Sequence, residues 1–377
     1  MELDLAPISG RSLGCRSVAM GSNKDSGGII QVSIMGGENM NSVQELDVML
    51  ATPSEALIEF IGRRKGDILI LGVGGKMGPS LARRAKNAVM AAGVKKEIIG
   101  VSRFSEEASR QQLEDSGIHT IVADLMDEVQ LQALPDVPNV IYMVGHKFGT
   151  TGREYYTWAM NTYLAGRVAE KYRHARIVAF SSGNVYPLSP VQRRGSLETD
   201  DVGPVGEYAQ SCLGRERMLE HFSRKYQTPM LLYRLNYAID MRYGVLHDVA
   251  TAVLKGQPID VTMGYANVIW QGDANDVALR SLEICDIPPK ILNVTGAETI
   301  SIRWLAEEFG RLLGKKSVII GQEVGTALLN NASQCHEKFG YPEITLRQLI
   351  DWTATWVRTN GPTLNKPTHF QESQGRF

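Results

Sequence analysis

Six short apolar runs recur along the chain: "DILILGV" (67–73), "EIIGVSR" (97–103), "HTIVAD" (119–124), "NVIYMVG" (139–145), "ARIVAFSS" (175–182) and "PMLLYRL" (229–235). They are apolar on consecutive rather than alternate residues, which suits strands buried on both faces, and such strands need helices above and below them. The stretches 78–92, 153–172 and 207–226 are long enough to be those helices. Strand and helix repeating with crossovers predict an α/β fold, a Rossmann-type doubly wound parallel sheet.

After Leu235 the rhythm changes. A strand "ILNVTG" (291–296), a helix over 301–313, a strand "SVIIG" (317–321) and amphipathic helices near 328–339 and 345–358 predict a smaller C-terminal substrate domain. The expected boundaries are 46–235 for the nucleotide-binding domain, 236–360 for the small domain, interleaved with the sheet, and 361–377 for a tail. Residues 1–45 are rich in Gly and Ser without hydrophobic period, as in "SGRSLGCRSVAMGSNKDSGG". They cannot bury enough surface to offset their ordering entropy, and a disordered arm is expected.

Composition excludes several function classes. A net charge of -1 over 377 residues gives no electrostatic basis for binding nucleic acid or an anionic membrane. Cys15, Cys212, Cys285 and Cys335 are widely spaced, which fits reduced thiols rather than disulfides or zinc; no metal site and a cytoplasmic location are expected.

The first strand runs into "GVGGKMG". Gly72, Gly75 and Gly78 follow a G-x-x-G-x-x-G spacing, with Gly74 extra and Lys76 and Met77 between. Glycines here let the chain turn sharply, bring backbone against a pyrophosphate and seat the next helix with its N-terminus toward the phosphates. A Walker-type loop is excluded because no GK[ST] follows. At the end of the second strand an acid would hold the 2′-hydroxyl of NAD. Ser102 and Arg103 stand there instead, a donor and a cation suited to a 2′-phosphate, so the expected cofactor is NADP ahead of NAD.

Taken in order, "GVGGKMG", Asp124 after the third strand, Asn161 in "MNTYLAGRVAE", "SSGNVYP" (181–187), "EYAQS" and "GDANDVA" (272–278) carry a resemblance. Over residues 66–358 the chain resembles an extended short-chain dehydrogenase/reductase of the NAD-dependent epimerase/dehydratase type. The resemblance implies sugars or sugar nucleotides as substrates and a homodimer formed through the helices at 153–172 and 207–226. It makes Ser182 the hydroxyl that binds substrate and Tyr208 the acid/base. It also sets Asp124 and Leu125 beside the adenine and puts Val144 and Asn161 near the cofactor. The residues agree independently: Ser182 ends a strand at the carboxyl edge, where ligands bind in such sheets, and Tyr208 opens the next long helix.

One position departs from the family. A lysine one turn after the tyrosine would anchor the nicotinamide ribose and lower the phenol's pKa; Cys212 occupies its place and carries no positive charge. Lys147, in "GHKFG" after the fourth strand, is the preferred substitute cation, with Arg215 the alternative. On the substrate side Asn184, Arg234, Asn236 and Trp270 are candidates to face the cleft, with Arg242 and Tyr243 beyond them. The expected function is an NAD(P)-dependent sugar epimerase, dehydratase or reductase; the alternative is an NAD(P)-binding regulator with little turnover.

Overall fold

The computed structural model describes residues 40, 42–147, 152–366 and 368–375. The central sheet has seven parallel strands: β1 (Ile68–Leu71), β2 (Ile98–Ser102), β3 (His119–Val122), β4 (Asn139–Tyr142), β5 (Arg176–Ser182), β6 (Met230–Leu235) and β7 (Lys290–Val294). Their spatial order is β7-β6-β5-β4-β1-β2-β3. All four residues of β1 are fully buried, which is why its sequence reads as an unbroken apolar run. Strand order reverses between β1 and β4, leaving a crevice at their carboxyl ends where ligands bind in open α/β sheets.

The six expected strands are present, and the seventh corrects the domain assignment. The run at 291–296 was expected in the small domain, but β7 pairs parallel with β6 in the main sheet, Ile291 opposite Leu232. The long insertion between β6 and β7 hides this crossover, since it interrupts the strand-helix rhythm that marks the others.

Thirteen α-helices surround the sheet among the described residues: α1 (Val43–Ala51), α2 (Glu55–Arg63), α3 (Gly78–Ala91), α4 (Glu107–Asp115), α5 (Glu128–Ala133), α6 (Glu154–Trp158), α7 (Leu164–Lys171), α8 (Gly206–Tyr226), α9 (Val245–Lys255), α10 (Gln271–Arg280), α11 (Ile302–Leu313), α12 (Ser333–Phe339) and α13 (Leu346–Arg358). One core joins the sheet to α2, α3 and α10, and a second joins its other face to α7 and α8. A third core packs α1, α9, α11 and α13 together, over the stretch expected to form the small domain. The expected helix over 153–172 is broken by a π-helical turn, Ala159–Tyr163. No described helix is long and apolar enough to cross a membrane.

At the N-terminal end the expected boundary of the arm differs from the structure. Helix α1 begins inside the expected arm: Ser42 and Glu45 form a capping box, and Met40, Leu46 and Leu50 are buried. Residues 1–39 and 41 lie outside the described residues. The tail packs against the body. Trp356 Nε1 donates to the Pro362 carbonyl at 2.9 Å, and Thr368 donates from its backbone N and its hydroxyl to Asp248 Oδ2 at 2.8 and 2.6 Å. Phe370, 3% exposed, enters the small-domain core. Removing a buried ring leaves a cavity besides the lost transfer energy, so Phe370→Ala is expected to cost about 3 kcal/mol in urea unfolding. A loose tail would show no change.

Candidate active site

The glycine turn is built for close approach. Gly72, at φ +93°, donates its N–H to the Val101 carbonyl at 2.9 Å, and a Cβ there would press on Val144. At Gly78 a Cβ would overlap the Val73 carbonyl, so glycine alone lets α3 start directly against β1, with Met77 as its N-cap and Pro79 in its first turn. A Cβ at Gly74 would lie 2.5 Å from Ser102 Oγ. Gly74 and Gly75 themselves are exposed. Open backbone at a helix N-terminus, in the crevice of a parallel sheet, fits a dinucleotide pyrophosphate. Arg103 is exposed on the rim, and Leu125 is buried beside the half-buried Asp124, whose Oδ1 accepts from Met126 N at 3.0 Å.

Lys76 leaves this turn toward the small domain. Its Nζ lies 3.2 Å from the Tyr243 ring centroid and 3.5 Å from the Ala238 carbonyl. Burial pushes the ammonium down to about 7; Lys147 and Lys366 add to this, and Asp240 opposes it.

At the other end of the crevice Ser182 and Tyr208 meet, their hydroxyls within hydrogen-bonding reach. Ser182 closes β5 and caps a short 3-10 turn, accepting from Asn184 N at 3.1 Å and donating to Asn184 Oδ1 at 2.9 Å. Tyr208 lies in the first turn of α8, packed with Val185, Tyr186 and Cys212. Burial raises its phenol well above the ordinary tyrosine range; the Cys212 thiol reinforces this, while Arg215 and the Ser182 hydrogen bond act the other way. Cys212 is itself buried with a raised pKa. The Lys147 ammonium sits 5.6 Å from the Tyr208 ring centroid, and burial lowers its pKa to about 8. The structure thus brings together the expected tyrosine, serine and substitute lysine.

Four expected site residues are otherwise engaged. Asn161 is fully buried with its amide saturated: Oδ1 accepts from His146 N at 2.8 Å and Arg215 Nη2 at 2.9 Å, while Nδ2 donates to the His146 carbonyl and Ser211 Oγ. It ties the β4 exit loop to α8 and has no group left for a cofactor. Arg234 is locked to Glu216 by two bonds, at 2.9 and 2.6 Å, both side chains nearly inaccessible. Breaking such a buried pair by removing one partner costs several kcal/mol, so its role is structural. Asn236 donates to Asn267 Oδ1 and the Leu328 carbonyl. Trp270 is buried edge-on to Trp352, 6.0 Å between centroids. The alternative cation Arg215 is committed to the Phe180 and Asn161 carbonyls at 2.6 and 3.0 Å.

One group went unnoticed in the sequence. Asn330 is buried against Gly183, and both its amide atoms lack a hydrogen-bond partner among the described residues. Nothing in its sequence context marks it, because tertiary packing alone brings it to the Ser182 turn.

The family model for the NAD dependent epimerase/dehydratase family matches residues 68–263, more than half of the chain. The chain belongs to this family. No curated protein sequence matches it. Among solved structures, this family member is similar to UDP-glucuronic acid 4-epimerase from Bacillus cereus in complex with NAD, at 17% identity and TM-score 0.65, covering 77% of this chain and 96% of that one. It is also similar to dTDP-glucose 4,6-dehydratase from Bacillus anthracis, at 16% identity and TM-score 0.65, covering 78% and 97%. UDP-glucose 4-epimerase from Thermotoga maritima matches at 16% identity and TM-score 0.62, covering 78% and 99%. At such identities the likeness establishes a shared fold, which these enzymes have in common with the present epimerase/dehydratase family member.

Proposed function

We propose that this chain is an NAD(P)-dependent epimerase or dehydratase acting on a sugar nucleotide or related sugar, with Tyr208 as acid/base and Ser182 holding the substrate hydroxyl. The observation that carries this reading is the convergence of the Ser182 and Tyr208 hydroxyls beneath the Lys147 ammonium. Exposed backbone at Gly74 and Gly75 would hold the dinucleotide, which when bound supplies the acceptor and donor for hydride. Tyr208, held as phenolate by the Lys147 ammonium, takes the proton of a carbinol positioned by Ser182 and is left as the neutral phenol. Similar structures solved with UDP sugars and with NAD favour this substrate class.

The test is turnover of UDP-glucose, UDP-glucuronic acid and dTDP-glucose by the purified chain, followed by product analysis. A second reading, a dinucleotide-binding regulator, is favoured by the loss of the family lysine to Cys212 and by the raised phenol; it predicts cofactor binding without turnover of any of these sugars.

On the cofactor, the Bacillus cereus epimerase and the Bacillus anthracis dehydratase named above were solved with NAD, whereas the exposed Arg103 is suited to a 2′-phosphate. Arg103→Asp is expected to weaken NADPH binding about tenfold or more while leaving NADH within twofold, because only NADPH carries the charge that the guanidinium would meet. Parallel fluorescence titrations read both; equal affinities before and after the change would remove Arg103 from the site. Homodimerisation through the segments 153–172 and 207–226 belongs to the same proposal, and light scattering tests it.

A further inference from the structure

The position after Ser182 is a glycine, and the space its side chain would take is filled by an amide from a distant segment. A Cβ on Gly183 would lie 2.5 Å from Asn330 Oδ1 and 2.8 Å from Asn330 Nδ2, so the bare turn and the incoming carboxamide are fitted to each other. Asn330 is 1% exposed, and neither end of its amide has a hydrogen-bond partner among the described residues.

A loosely held chain does not explain the unpaired group. Around it Ser196 N donates to the Leu329 carbonyl and Asn331 N to the Ser196 carbonyl, both at 2.9 Å, while Asn267 Nδ2 donates to the Asn330 carbonyl at 2.8 Å. Asn267 Oδ1 in turn accepts from Asn236 Nδ2 at 2.9 Å, and Asn331 Oδ1 accepts from the Ser333 backbone at 2.9 Å at the start of α12. The backbone at 330 is thus pinned from three directions. Its neighbouring asparagines bond through their side chains, and Asn330 does not.

Burying an amide with neither end paired lowers the stability of the fold, and a departure of this kind from local consistency is characteristic of groups that serve a site. The place of this one is the turn whose Ser182 hydroxyl reaches Tyr208. A carboxamide offers donors and an acceptor together, the complement of an alcohol. In a sugar, the carbon beside a carbinol seated between Ser182 and Tyr208 bears a second hydroxyl, and the next position along the turn is the one that Asn330 fills.

We propose that the Asn330 carboxamide binds the substrate sugar through the hydroxyl adjacent to the carbinol held by Ser182. The amide exchanges its contact with Gly183 for that bond by turning about its own side-chain bonds, and the pinned backbone stays in place. The inference rests on the proposed function and adds to it the group that reads the sugar rather than its nucleotide. A site built to bond a hydroxyl discriminates strongly against a ligand that lacks one.

The experiment uses the full chain saturated with NADH and calorimetric titration with UDP-glucose, UDP-glucuronic acid and dTDP-glucose, each beside its bare nucleoside diphosphate. Asn330→Leu keeps the branched shape and removes the polar ends. Expected are an affinity about tenfold lower for whichever sugar nucleotide the wild type binds best, an unchanged affinity for UDP or dTDP, unchanged NADH binding, and a urea midpoint equal to or above wild type, because an unpaired amide has been replaced by an apolar group. Asn330→Ala removes the amide without filling its space and should show the same loss confined to the sugar, whatever its midpoint. A lower midpoint with sugar affinity intact in both variants overturns the inference and makes Asn330 part of the fold only. Equal losses for the sugar nucleotide and the bare nucleotide overturn it as well. A wild-type chain that binds no sugar nucleotide more tightly than its bare diphosphate overturns the proposed function itself, and this inference with it.

Discussion

Tyr208→Phe is expected to lower turnover about a thousandfold while leaving NADH affinity within about twofold. The ring is held by Val185, Tyr186, Val202, Cys212 and Leu213, contacts that phenylalanine keeps, so the start of α8 should not move. What disappears is the oxygen that shares a hydrogen bond with Ser182 and carries the proton. General acid/base catalysis is worth about 10²–10⁴ in rate, which sets the size of the loss. Steady-state assays on whichever sugar nucleotide the wild type converts give kcat, and NADH titration gives the affinity. Equal loss of both would mean that the hydroxyl serves cofactor binding rather than proton transfer. If no sugar is converted by either protein while NADH still binds, the regulator reading stands instead.

The sheet was legible because double burial leaves a period-free apolar signature, as in β1, and because the glycine turn has steric requirements that Gly72 and Gly78 satisfy locally. Strand β7 was assigned to the wrong domain because its pairing partner lies across a long insertion, and strand pairing leaves no mark on either strand's own sequence. The polar candidates divide along the same line. Ser182 and Tyr208 sit at positions fixed by local elements, a strand end and a helix start, and the structure brings them together. Arg234 near the end of β6 and Asn236 just after it hold an equally suggestive position, yet distant partners, Glu216 and Asn267, claim their hydrogen bonds. A charged residue that finds a buried partner is indistinguishable in sequence from one that waits for a ligand. The tail illustrates the converse: "THF" has no periodicity, and only the pocket receiving Phe370 makes it part of the fold.

Lys147→Met is expected to slow sugar oxidation at neutral pH between about tenfold and a thousandfold, and to move the alkaline rise of the rate to higher pH. An opposite charge a few ångströms away lowers an acid's pKa by one to three units, and each unit is a factor of ten in the phenolate fraction below that pKa. Tyr208 needs such help, since burial drives its phenol up and Cys212 cannot oppose that. Lys147 itself is pushed down to about 8, so in wild type its charge is present at pH 7 and fades above 8. The wild-type profile should bend near that value, and the variant's should not. Stability provides the control: methionine fills a similar volume without a buried charge, so unfolding should be unaffected or slightly harder. The double variant Lys147→Met, Cys212→Lys then separates position from charge. A lysine one turn along α8 from Tyr208 restores the family's arrangement, and rates at neutral pH should recover at least tenfold. No recovery, with NADH affinity intact, would mean that the cation must come from the β4 side of the cleft, and that α8 in this protein is packed around a small residue at 212 that it cannot exchange.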